Sequence, residues 1–129
     1  MPLTANFSRS CVFGGSTLIQ QETTTGNYNA TLNQVVPIAA NTQYHFAVTA
    51  ANLQGLCIYA QVAMTVFTNN PSGSSPQDTI VLAAGQCLVW TLATDGIGKI
   101  PFSGNVTTIY VTNGSASTGT LAIIALCNQ

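Results

Sequence analysis

The chain has 129 residues, enough for one domain with a sizeable hydrophobic core. Hydrophobic residues make up 47% and charged residues only 4%, which argues against disorder, because disordered chains combine low hydrophobicity with high charge. With Arg9 and Lys99 as its only basic residues, the chain cannot build a phosphate-binding patch, so neither nucleic acid nor an anionic membrane surface is expected as a partner.

Residues 1–15, MPLTANFSRSCVFGG, are polar, end in two glycines and show little periodicity. They read as an N-terminal arm ahead of a single domain over residues 16–129. They also lack a charged segment followed by a long apolar one, so no secretion signal is expected. A first strand is predicted over residues 16–24 and a second over 31–39, where Pro37 points to an edge or a bend. Residues 42–51 alternate clearly. Tyr44, Phe46 and Val48 fall on one face, and His45, Ala47 and Thr49 on the other.

After the short turn ANLQG, residues 56–69 are long for one strand, so a bulge is expected near Ala60 to Val62. NNPSGSSPQ, residues 69–77, is the strongest turn signal. Strands follow over 78–84 and 86–93, joined at Ala84-Gly85-Gln86, and in the second Leu88, Trp90 and Leu92 share a core face. A strand over 105–113, the polar turn GSASTG and the apolar run 120–127 complete the chain, the last predicted to be buried on both faces or in an interface. About eight short strands predict an all-β fold: an antiparallel, jelly-roll-like sandwich of two sheets.

Low charge has a further consequence. Exposed sheet edges are usually blunted by Lys or other charges, and here almost none are available. Other copies of the chain, or a larger assembly, are expected to cover them.

Four cysteines, Cys11, Cys57, Cys87 and Cys127, are widely spaced with no CxxC pair, so metal binding is not expected. They are expected to be reduced and to behave as small buried hydrophobes, while three full pairings stay open.

Candidate chemistry is sparse. Asp95 and Lys99 stand four apart in WTLATDGIGKIPF, residues 90–102. A nucleophilic or anion-anchoring lysine tuned by the aspartate is one reading. Asp95-Gly96, Gly98 and Pro101 favour the other, a solvated turn. His45 is the sole imidazole, and no nucleophile motif surrounds it. The acids Glu22, Asp78 and Asp95 lie in different segments, and Gly14-Gly15 lacks the continuation of a phosphate loop. Sequons at Asn6, Asn29, Asn105 and Asn113 are expected by chance in a Ser/Thr-rich chain. Tyr28, Tyr44, Tyr59 and Tyr110 could stack on sugars, or pack at the core edge. No catalytic, cofactor-binding or metal-ligating residue is assigned, no cofactor is expected, and an enzyme is not expected.

VAMTVFTNNPSGSSPQDTIVLAAGQCLVWTL, followed by NVTTIYVTNGSASTGTLAIIAL, resembles small virion proteins of tailed bacteriophages over about residues 60–127. The resemblance implies a β-sandwich that decorates or cements the outside of a capsid. Its partners would be the major capsid protein and further copies of itself, with a symmetric trimer as the preferred oligomer. Its location would be the virion surface, after assembly in the host cytoplasm. The four cysteines and the scarcity of charge depart from that pattern and leave open a tail or fibre module. A carbohydrate- or surface-binding module is the alternative function.

Overall fold

In a computed structural model, the backbone is described for residues 3–13, 16–28 and 30–128, and side chains from Leu32 onward except Ala93 and Thr94. The glycine pair Gly14-Gly15, Asn29, and the side chains of Asn6, Arg9, Cys11, Glu22 and Tyr28 therefore lie outside the described residues.

Eight strands form two four-stranded antiparallel sheets. They are β3 (Ala30–Ile38), β4 (Thr42–Ala50), β5 (Leu53–Ala60), β6 (Met64–Thr68), β7 (Thr79–Leu82), β8 (Cys87–Thr91), β9 (Val106–Asn113) and β10 (Gly119–Cys127). One sheet runs β3-β10-β5-β8 and the other β4-β9-β6-β7. Every consecutive link crosses between the sheets except the β6–β7 hairpin. This is the jelly-roll order, and the expected sandwich is correct. Two further strands, β1 (Leu3–Phe13) and β2 (Ser16–Tyr28), pair into a separate antiparallel hairpin. Backbone pairing thus begins well inside the stretch read as an aperiodic arm, and the second strand runs past residue 24.

The core forms where the inward rows of the two sheets meet. β10 contributes Leu121, Ile123 and Ala125, and β5 contributes Leu56, Ile58 and Ala60. Val66, Ile109 and Val111 face them from the other sheet, with Trp90, Phe102 and Leu82 closing the rim. Strict alternation makes this possible, since residues two apart share a face.

The stretch 56–69 departs from the expected bulged strand. It breaks at residues 61–63, ending β5 in one sheet and starting β6 in the other. Crossing over lets Leu56, Ile58 and Ala60, then Met64 and Val66, all reach one core from opposite walls. The crossover is tied to β10 by Gln61 N–H donating to the Thr120 carbonyl (2.9 Å) and Thr120 N–H donating to Gln61 Oε1 (3.0 Å).

Two asparagines hold the ends of the sandwich. Asn69 adopts φ 64°, a conformation asparagine tolerates better than most residues. Its Nδ2 donates to Gln77 Oε1 (2.8 Å) and to the Asn105 carbonyl (2.9 Å), and its Oδ1 accepts from Thr107 N–H (2.8 Å). Asn113 is fully buried and satisfied. Its Nδ2 donates to the carbonyls of Ile38 (3.0 Å) and Ser117 (2.8 Å), and its Oδ1 accepts from Ser115 N–H (2.9 Å). These bonds close the strongest turn signal and the GSASTG turn.

Gly119 opens β10 at a point of close approach. A Cβ there would run into the Val62 side chain. Gly119→Ala is therefore expected to destabilise the fold by about 1–3 kcal/mol. Denaturant unfolding checks it, and wild-type stability in the variant would show that the crossover yields freely.

Candidate functional site

Residues 92–99 settle the role of the two clustered charges in part. They form a short helical turn, α1 (Leu92–Asp95), and a 3-10 turn over Ile97–Lys99. Gly96 joins them at φ 79°, a conformation that favours glycine. Asp95 Oδ2 accepts a hydrogen bond from Thr91 N–H (2.8 Å), and Trp90 Nε1 donates to the Gly96 carbonyl (3.2 Å). The aspartate thus holds the end of β8 to the turn, and the turn covers the edge of the indole. Leu92 leaves the strand, so it does not continue the Leu88–Trp90 row, yet it still packs against the core. Lys99 is exposed, and with Asp95, Pro101 and Trp90 it borders a cleft of about 180 Å³.

The other candidates are dispersed. His45 is exposed on the outer face of β4, its ring centroid 5.4 Å from that of Tyr110 on β9. Asp78 is occupied structurally. Its carboxylate accepts from Thr68 Oγ1 (2.7 Å) and from Ser103 N–H (3.0 Å). Among the described residues, no group of three or more His, Cys, Asp or Glu side chains could hold a metal ion. Two further clefts have volumes of about 230 and 250 Å³, below the usual ligand-site range of about 300–1,000 Å³. Burial and internal bonding of Asn113 leave its sequon no accessible amide, whereas Asn105 is exposed.

The distinctive feature is the surface of the sheets. The four edge strands, β3, β8, β4 and β7, contain no Asp, Glu, Lys or Arg. On the outer face of the β3-β10-β5-β8 sheet, one row reads Val35, Ala122, Tyr59, Cys87, and the next Asn33, Ile124, Cys57, Val89. Val35 is 67% exposed, Ile124 41% and Tyr59 39%. On the opposite sheet the register aligns His45, Tyr110, Phe67 and Thr79 in a row, of which Phe67 is buried, and Val81 on edge strand β7 is 72% exposed. Tyr44 is exposed on edge strand β4, its ring centroid 6.2 Å from that of Phe46. Arg9 and Glu22 stand opposite each other in the register of the β1–β2 hairpin, away from these faces in sequence.

The cysteines only partly follow expectation. Cys127 is buried, but Cys57 is half-buried and Cys87 exposed, because both point outward from the sheet. Their Sγ atoms are 3.4 Å apart. Burial, then the hydrogen bond and charge interaction with Cys87, push the Cys57 thiol up from its ordinary 9.0 to about 11.

That shift has a definite sign. The unfolded chain releases the Cys57 proton from about pH 9.0 upward, while the folded chain holds it to about 11. The unfolded state then binds fewer protons, so stability falls as pH rises across this window. Thermal unfolding of wild type and Cys57→Ser across that range checks this. The serine variant is expected to show a shallower alkaline loss, and identical slopes would contradict it.

No family model matches the chain, and no curated protein matches it. Among solved structures, a chain described under "Bacillus endospore appendages form a novel family of disulfide-linked pili" is similar at 18% identity, covering 77% of this chain and 89% of that one, with a TM-score of 0.40. At that level the likeness says nothing about what this chain does.

Proposed function

We propose that the protein is a non-enzymatic structural subunit that associates with copies of itself through its uncharged sheet edges and outer faces. The observation that carries this reading is the absence of any charged residue from all four edge strands. An unpaired strand edge offers a row of N–H and C=O groups to another chain, and charge is the common means of blocking it. Exposed Val35, Ile124 and Val81 add apolar area that water does not favour. A formal net charge of −1 supplies little repulsion between copies.

Decoration of a phage capsid, implied by the resemblance over residues 60–127, is the specific setting of this proposal. It differs from free self-assembly in requiring the shell as a template. Co-sedimentation with capsids, with and without residues 1–15, separates the two, and attachment through the arm requires that the truncated chain bind less. Carbohydrate binding is the second reading, favoured by exposed Tyr44 and Tyr59. It requires that Tyr→Ala substitution remove glycan binding without unfolding the chain.

Light scattering on the purified full chain tests the main reading. The expected mass is a discrete multiple of the 13.4 kDa chain. Val81→Lys and Ile124→Lys place a charge on an edge and on an outer face, and each is expected to shift the mass toward a single chain at nearly unchanged melting temperature. A monomeric wild type, or lysine variants that keep the wild-type mass, would count against it.

A further inference from the structure

Cys57 and Cys87 sit on neighbouring antiparallel strands. Tyr59 pairs with Cys87 and Cys57 with Val89, so the two cysteines are diagonal neighbours on one outward face. Their sulfurs are in contact at 3.4 Å. Cys87 is exposed, opens β8, and β8 is the outermost strand of its sheet. It follows the turn at Ala83–Gln86, where Gly85 has φ 74°. One sulfur is therefore open to a reagent, the other is within reach of the first, and the strand carrying the open one is held from one side only.

We propose that Cys57 and Cys87 form an oxidisable dithiol that closes to an intrachain disulfide by exchange with a small-molecule disulfide such as oxidised glutathione. Cys87 gives its proton to solvent and its thiolate attacks one sulfur of the reagent. The reagent's S–S bond breaks, one reagent thiolate leaves and takes up a proton, and a mixed disulfide remains on Cys87. Cys57 then gives up its proton and attacks the Cys87 sulfur, forming the Cys57–Cys87 bond and expelling the second reagent thiol. Two protein thiols are oxidised and one reagent disulfide is reduced to two thiols. The raised pKa of the Cys57 thiol keeps its thiolate scarce near neutral pH, so the second step relies on the contact between the sulfurs, which lets Cys57 meet the mixed disulfide without diffusion, and the step speeds up as pH rises. Closure of the sulfurs from contact to a bond of about 2.05 Å requires a small shift of the two side chains and of the start of β8, which Gly85 N–H and the Gln86 carbonyl hold beside Ala60 of β5. The bond staples an edge strand to the sheet, whether or not copies associate.

The test uses the full chain, incubated with oxidised glutathione, quenched with acid and mapped by chymotryptic digestion and mass spectrometry. The expected product is a single chain lighter by two hydrogens, with the peptide containing Cys57 joined to that containing Cys87. Cross-linking across a separation of 30 residues is expected to raise the melting temperature on the order of 10 °C, reversibly with reductant. Cys57→Ser is expected to retain glutathione on Cys87, because no resolving thiol remains. Glutathione retained on Cys87 in wild type, Cys87 joined to another chain, or two unmodified cysteines would each overturn the proposal.

Discussion

All but one of the links between successive strands of the sandwich carry the chain from one sheet to the other. The sheets can close only if each strand places its apolar residues on the side facing its partner sheet. A slip of one residue would turn Leu121, Ile123 and Ala125 outward and expose the centre of the core. Side-chain alternation is thus the constraint on which the rest depends. It fixes the register, and the register fixes which residues appear on the two outer faces.

Those outer faces are where the chain is unusual. Its two described carboxylates are committed elsewhere: Asp78 ties β6 and β7 to Ser103, and Asp95 ties β8 to the turn that follows. Polar bonding is supplied instead by amides and hydroxyls. Asn69 and Asn113 each satisfy several backbone groups, so the turns they hold close on amide hydrogen bonds. A sandwich built this way is internally satisfied but has edges with no electrostatic guard. The physical tension is between a well-bonded interior and edges that still offer hydrogen bonds to a neighbour.

Much of the fold was legible because it rests on period-two alternation. The strands at residues 42–51, 105–113 and 120–127 fall within a residue or two of where the pattern puts them. The chain's sheet changes were less legible. Nothing local distinguishes a bulge at Ala60–Val62 from a crossover, since both need an irregular residue or two, and only the position of the second sheet decides. Leu92 misled for a similar reason, because it continues the Leu88–Trp90 spacing although Asp95 and Gly96 turn the chain into a helical turn. In the N-terminal hairpin, LTANFSRSCVF does alternate, with Leu3, Ala5, Phe7, Cys11 and Phe13 falling two or four apart, but Arg9 interrupts the apolar row, so only the strand beginning at Ser16 was expected. The missing edge charges could be counted directly from the residues. The contact between Cys57 and Cys87 could not, because it depends on the β5–β8 register. The turn reading of Asp95 and Lys99 agrees with the short turns at that position, and the hydrogen bond from Thr91 gives Asp95 a structural task.

The central claim is that the unguarded edges are where copies meet. Amide hydrogen exchange, followed strand by strand at low and high protein concentration, tests it most directly. If edges pair between copies, outward-facing amides of β3, β4, β7 and β8 become protected as concentration rises, while those of the inner strands β5, β6, β9 and β10 stay the same. Edge amides that exchange equally fast at every concentration would contradict the account, whatever mass the particles have.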